Sequence, residues 1–417
     1  MRKQKILVLS FAFLLSTVLV YGQEQKQRET NDIAGPSSVG NQMKSDIISR
    51  KAKVGWYFLD SLDAAKDRFY DKTGFKANLD YNSQIMGVTK AIGNNIGASG
   101  VLRLYGKWDF VRRGTPFQGG LVFNLEHRHK YTENPLREYG ILDVGYAGLI
   151  QSVYNDDKFR VTNLYWRQTF GTNKVVVYAG FVDMTDWTDI HAAASPWSSF
   201  NNMVFATGSV TIGGGYPGGS LGLMVSAWLT KQLYVVGSFT DINGKATEFW
   251  KGFDTFFNKF ETVKTLELGY TPGLEYVFFK NAHLTFWQVD KQTGTGIPSG
   301  WGIAGSVSWG IGEKHLPFIR GGYANEGGAF YKGSVSVGYS YNIAGPNTFG
   351  IGFNWNRPNP GIFGDGLKDQ HSSEIFFKWQ VTHHSELTPN IQLIGNPAFN
   401  SKDNFTTLFG LRARVFI

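Results

Sequence analysis

Ser334-Val335-Ser336-Val337-Gly338-Tyr339-Ser340-Tyr341-Asn342 and Phe349-Gly350-Ile351-Gly352-Phe353-Asn354-Trp355-Asn356 place an apolar or aromatic residue at every second position, with Ser, Asn or Gly between. An extended chain sends successive side chains to opposite faces, so each stretch becomes a strand with one greasy and one wet face. The pattern recurs outward in both directions. Ile375, Phe377, Trp379 and Val381 alternate with Glu374, Lys378, Gln380 and Thr382; Leu102, Leu104, Trp108 and Phe110 alternate with Arg103, Tyr105, Lys107 and Asp109; Leu121, Phe123 and Leu125 alternate with Asn124, Glu126 and Arg128. A soluble sandwich alternates too. Here Trp108, Trp309, Trp355 and Tyr341 stand toward strand ends on the apolar parity, where an aromatic girdle at a bilayer interface belongs.

Turn signals such as Gly114-Thr115-Pro116, Asn243-Gly244 and Gly345-Pro346-Asn347 separate the alternating stretches from Phe75 to the end. About sixteen strands result, with 136–170 and 272–281 each able to move the count by one or two. An open sheet edge in hydrocarbon would leave backbone groups unpaired at several kcal/mol each, so the sheet must close. The expected fold is all-β: a transmembrane antiparallel barrel over 75–417, of a size that leaves an aqueous lumen. Connections at 183–202, 243–262, 291–300 and 356–370 read as extracellular loops, some folding inward.

Composition agrees. The chain holds 51 Gly, 15% aromatic and only 18% charged residues, below the roughly 25% of soluble domains. Arg2, Lys3 and Lys5 precede the apolar run Ile6 to Val20, which predicts a signal peptide over 1–22 and export to an outer membrane of Gram-negative type. Residues 23–74 read as a periplasmic lead-in, polar and flexible to Lys53, with one short helix between Trp56 and Tyr70 as a plug or cap. No cysteine is present, which excludes disulfides, thiolate metal sites and an acylated lipoprotein. The formal charge of +8 is spread as single Lys and Arg, unlike the clustered patch that nucleic acid requires.

The closing region, Glu374-Ile375-Phe376-Phe377-Lys378-Trp379-Gln380-Val381-Thr382, Leu387-Thr388-Pro389-Asn390-Ile391-Gln392, Asn396-Pro397 and Gly410-Leu411-Arg412-Ala413, resembles the carbohydrate-selective porin family (OprB-like). Trp166-Arg167-Gln168, Tyr178-Ala179-Gly180-Phe181-Val182-Asp183, Ser199-Phe200-Asn201-Asn202 and Tyr216-Pro217 resemble its middle section. The resemblance runs from about Leu102 onward and implies a sixteen-stranded barrel whose basic constriction admits sugars by diffusion. Two residues depart from it: Asn390 stands where the family often has Asp, and the chain ends in Ile417 with Phe416 one place before a usual terminal Phe.

A sugar channel needs fixed donors and acceptors at a narrowing, which replace part of the solute's hydration. On the inward parity Arg103, Asp109, Glu126 and Arg128 neighbour one another on two strands, with Arg160 and Arg167 on or beside a third. These form the expected eyelet, because guanidinium forks span vicinal hydroxyls while carboxylates accept from them. The plain alternative for each is an ordinary wetted lumen residue. Tyr105 and Trp166 would offer a flat face to a sugar ring, or serve as packing residues. Glu374, Lys378, Arg412 and Arg414 on the closing strands read as wall support, pairing across strands. His127 and His129 share one face but lack a third ligand, and His383-His384, read as strand, would point apart. Asp183, Asp186 and Asp189 are spaced by three, which does not follow the calcium-loop pattern.

No catalytic elbow or phosphate loop is visible. The reading is a passive porin without cofactor for small carbohydrates or other polar solutes, surrounded by outer-membrane lipid and inserted by barrel-assembly machinery acting on the last strand. The alternatives are a general or differently selective porin, and a barrel enzyme or adhesin.

Overall fold

The computed structural model describes residues 32–49, 54–171, 174–206, 218–344 and 346–417; the expected signal peptide lies outside them. Sixteen strands run β1 Phe75–Val88, β2 Ile96–Val111, β3 Gly119–Lys130, β4 Lys158–Phe170, β5 Val175–Val182, β6 Ser220–Trp228, β7 Leu233–Asp241, β8 Thr262–Tyr270, β9 Lys280–Val289, β10 Gly300–Trp309, β11 His315–Glu326, β12 Tyr331–Ala344, β13 Asn347–Pro358, β14 Gln370–Thr382, β15 Ser385–Gly395 and β16 Phe405–Phe416. Each pairs antiparallel with its chain neighbours, and β1 pairs with β16 from Asp80↔Phe416 to Val88↔Leu408, which closes the barrel. Closure leaves no edge in the bilayer. Among the described residues no helix is long and apolar enough to cross a membrane, so strands form the wall.

The alternation fixes which face is wet. Leu102, Leu104, Trp108 and Phe110 are exposed outward on β2, whereas Arg103, Tyr105 and Asp109 are buried inside. Trp108, Tyr270, Trp309 and Trp379 mark the end where β1 starts, β16 finishes and short turns lie; Trp301 and Tyr323 mark the opposite end. Short turns belong to the periplasmic side and long connections to the extracellular side. The connections 131–157 and 183–219 are the longest.

Among the described residues two helices precede the wall: α1 (Val39–Ser49) and α2 (Tyr57–Thr73). The second lies where the sequence suggested a short helix. The first corrects the expectation of a flexible periplasmic lead-in, because Ile33, Ala34, Val39 and Met43 are buried against Tyr105, Val122, Tyr165, Tyr178 and Trp187 inside the barrel. Its polar sequence suits a lumen lined by polar groups, which is why no strong apolar period announced it.

Gly74 ends α2 in the left-handed region (φ 73°) and its N–H donates to the Tyr70 carbonyl. A Cβ there would lie 2.0 Å from the Asp109 carbonyl oxygen. Gly74→Ala therefore meets both an unfavourable φ and a backbone clash, and is expected to destabilise the protein by more than about 1 kcal/mol, read as a lowered thermal midpoint in detergent.

Candidate functional site in the barrel lumen

One level of the wall carries a row of alternating charge. Asp80 on β1 pairs in register with Arg103 on β2, Arg103 with Glu126 on β3, and Glu126 with Arg160 on β4. All four point inward and are buried. Arg103 Nε donates to Asp80 Oδ1 at 2.8 Å, and Arg128, two residues along from Glu126, donates to Glu126 Oε2 at 2.6 Å through Nε. Arg160 lies 3.9 Å from the same carboxylate and also donates to Asp157 and to the Gly218 carbonyl, both at 2.6 Å. Charge-assisted bonds of this kind fix both partners' orientation.

The connection 183–206 crosses the lumen and meets this row. Trp197 places its ring over Arg103, 3.9 Å from guanidinium carbon to ring centroid, with Arg128 at 5.9 Å and Tyr154 from the connection 131–157 at 6.0 Å between rings. The far wall holds the crossing segment. Glu374 accepts from the Asn201 and Asn202 N–H groups, each at 2.8 Å, and Arg412 donates to the carbonyls of Pro196 (2.7 Å) and Ser199 (3.0 Å). Glu374 and Arg412 therefore hold a loop across the lumen, whereas the sequence suggested pairing between strands. Asp189, in the left-handed region at φ 52°, accepts from Arg320 at 2.6 Å and meets His283 Nε2 at 2.7 Å. The three side chains are almost wholly buried.

The periplasmic half is occupied by α1 and the segment leading into it. Asp46 accepts from Asn78 (2.7 Å), Tyr105 (2.5 Å) and Arg414 (2.7 Å), and Arg414 also donates to Asp80 at 2.7 Å. Arg167 Nε donates to Asp32 at 2.5 Å. Burial would push the Asp46 carboxyl up, but the Arg414 guanidinium and the Tyr105 hydroxyl outweigh it and hold it below the usual carboxylate range. Asp32 behaves alike beside Arg167. Burial, and next the charge of Asp183, raises the Asp186 carboxyl well above that range.

The residues singled out from the sequence thus separate. Arg103, Tyr105, Asp109, Glu126, Arg128, Arg160, Arg167, Glu374, Lys378 and Arg412 are directed inward and lie on the lumen wall. Trp166 does not. A β-bulge between Asn124↔Asn163 and Leu125↔Val161 inserts Thr162 into β4 and reverses its parity. Arg160 and Arg167, of opposite parity, both reach the inside, and Trp166 turns to the bilayer face against Phe110 at 5.5 Å between rings. The aspartates also divide: Asp183 accepts from the Thr185 N–H and hydroxyl, Asp186 from Asn163, and Asp189 pairs with Arg320. The His127 and His129 rings lie 5.4 Å apart on the outer face, tilted by 43°. Sequence reasoning missed Asp80, although Leu79, Tyr81 and Ile85 alternate with Asp80, Asn82 and Gln84 and would have found it. Trp197, Tyr154, Asp46 and Asp189 lie outside strands, where no period marks them.

No curated protein sequence matches the chain. The barrel is similar to the high-pH structure of Pseudomonas putida OprB, at 14% identity and a TM-score of 0.68 over 85% of this chain and 97% of that one. The low-pH structure of the same protein aligns at 13% identity and 0.49 over 85% and 96%. A triple mutant of Rhodopseudomonas blastica porin aligns at 10% identity and 0.50 over 82% and 100%. The first of these likenesses supports the fold. The family model described as carbohydrate-selective porin, OprB family, matches residues 120–354 and 286–415, more than half of the sequence. The chain accordingly belongs to the OprB family of carbohydrate-selective porins, channels of the Gram-negative outer membrane.

Proposed function

We propose that sugars cross this porin by passive diffusion along the β2–β4 wall, through a constriction made by Arg103, Glu126, Arg128 and Arg160. The observation that carries the proposal is the alternating row Asp80, Arg103, Glu126, Arg160 facing the Trp197 ring. The three guanidinium groups here meet the carboxylates of Asp80, Glu126 and Asp157, so each group is held in place by a neighbour. Vicinal hydroxyls both donate and accept, and the row presents both partners at fixed positions. An aromatic face beside them suits the apolar C–H surface of a sugar ring.

Glu374 and Arg412 act by positioning the crossing loop, and Asp109, Arg167 and Lys378 line the approach. No reaction step is assigned to the barrel, which carries solute without a cofactor. Export by residues 1–22, contact with outer-membrane lipid and insertion through the last strand complete the reading.

Liposome swelling tests it. The wild-type protein is expected to pass glucose faster than a size-matched amino acid. Arg128→Ala should reduce that ratio about fivefold, the effect of one hydrogen bond worth about 1 kcal/mol. Trp166→Ala, on the outer face, should leave the ratio within about twofold. Equal rates for sugars and amino acids in the wild type would instead mark a general porin.

A further inference from the structure

We propose that Asp60, Asp63 and His384 form a binding site for a divalent cation of zinc type at the periplasmic mouth. His384 stands in the two-residue turn between β14 and β15, and its side chain is 1% exposed. Its Nδ1 lies 3.0 Å from the Phe416 carbonyl oxygen, which can only accept, so Nδ1 carries the proton and Nε2 presents a lone pair. Nε2 is buried and has no hydrogen-bond partner among the described residues. It points at Asp60 Oδ1, 3.6 Å away, and Asp63 Oδ2, 3.5 Å away, both on α2.

A lone pair directed at two carboxylate oxygens is repulsive. A protonated Nε2 would draw a carboxylate to roughly 2.7–2.9 Å, well inside the observed separations. A cation between them accounts for the spacing. Ligand bonds of about 2.0–2.2 Å at tetrahedral angles set donor atoms about 3.3–3.6 Å apart. The three donor atoms all lie within 4.8 Å of one another. The Nδ1 bond to a backbone carbonyl is the outer contact that orients a metal-binding imidazole. Among the described residues, His383 Nδ1 lies 3.0 Å from Asp60 Oδ1 and Lys66 lies 3.8 Å from the other oxygen of Asp63. Asp60, 35% exposed, opens the site to the periplasm and leaves room for water as a fourth ligand. A bound cation would clip α2 to the β14–β15 turn and, through Phe416, to the last strand.

The full-length protein, stripped with EDTA in detergent and dialysed against micromolar Zn²⁺, is expected to retain one zinc per chain. Co²⁺ should give the visible absorption of a tetrahedral site. His384→Ala should weaken binding at least about 100-fold and Asp63→Asn at least about tenfold. Asp60→Asn, at a half-exposed position, serves where the buried variants fail to fold and should also cost at least about tenfold. His129→Ala, on the outer wall, should not change the stoichiometry. Failure of the wild type to retain zinc, or retention that none of Asp60→Asn, Asp63→Asn and His384→Ala weakens, overturns the proposal.

Discussion

Deleting residues 32–49 should give a barrel that still forms and conducts roughly threefold or more current, since an interior of this size holds an aqueous channel once cleared. The wall does not depend on that segment: every strand, including the β1–β16 seam, is hydrogen-bonded to its two neighbours without it. The segment contributes filling, with Ile33, Val39 and Met43 packed against inward aromatics and Asp32 and Asp46 gripping Arg167 and Arg414. Single-channel recording in planar bilayers provides the measurement, and unchanged conductance would show that the segment does not limit the path. Asp46→Asn gives a milder version by weakening the Arg414 contact. Both aspartates titrate below the usual carboxylate value, so their grip is complete above about pH 4 and fades only as pH falls through the lowered folded values. At neutral pH the wild-type segment therefore stays seated.

Asp189→Ala is expected to release the crossing loop and cost about 3–5 kcal/mol of its docking free energy. The change leaves Arg320 buried at the wall without its carboxylate, and takes from His283 the partner that its Nε2 meets at 2.7 Å. It also places alanine at φ 52°, a conformation that Asp and Asn tolerate better. Limited proteolysis across 183–206 should accelerate by two to three orders of magnitude, about what that energy supplies where cleavage follows the open population. Asp189→Asn keeps the backbone preference and part of the hydrogen bonding, so it should fall between wild type and alanine. Asp183→Ala, which removes bonds local to one turn, should stay within about 1 kcal/mol. Equal proteolysis of Asp189→Ala and wild type would show that the loop is held elsewhere.

The wall was legible because its constraint is local. Every strand must show lipid one parity and the lumen the other, so Val335, Val337 and Leu102 declare their side in the sequence alone. The reading failed where the period breaks. Thr162 adds one residue to β4, and every later side chain in that strand changes face, which put Trp166 on the bilayer side and kept Arg167 inside. His383 and His384 occupy a turn rather than a strand, so both come near Asp60 despite being adjacent. The charged row was half legible: Arg103, Glu126 and Arg160 follow from parity and neighbouring strands. Trp197, which covers Arg103, and Asp46 and Asp189, which meet Arg414 and Arg320, come from segments whose placement depends on what they meet across the lumen, and nothing in a single segment encodes that meeting.

Arg414 belongs to the last strand, yet it is bonded at once to Asp80 on the first strand and to Asp46 on the segment inside. One side chain thereby touches both the seam of the ring and its stopper. The cork finds its final anchor only when the last stave is in place, so a chain halted short of residue 414 has neither a completed wall nor a seated plug. A barrel with Asp46 seated on Arg414 is thus already narrowed.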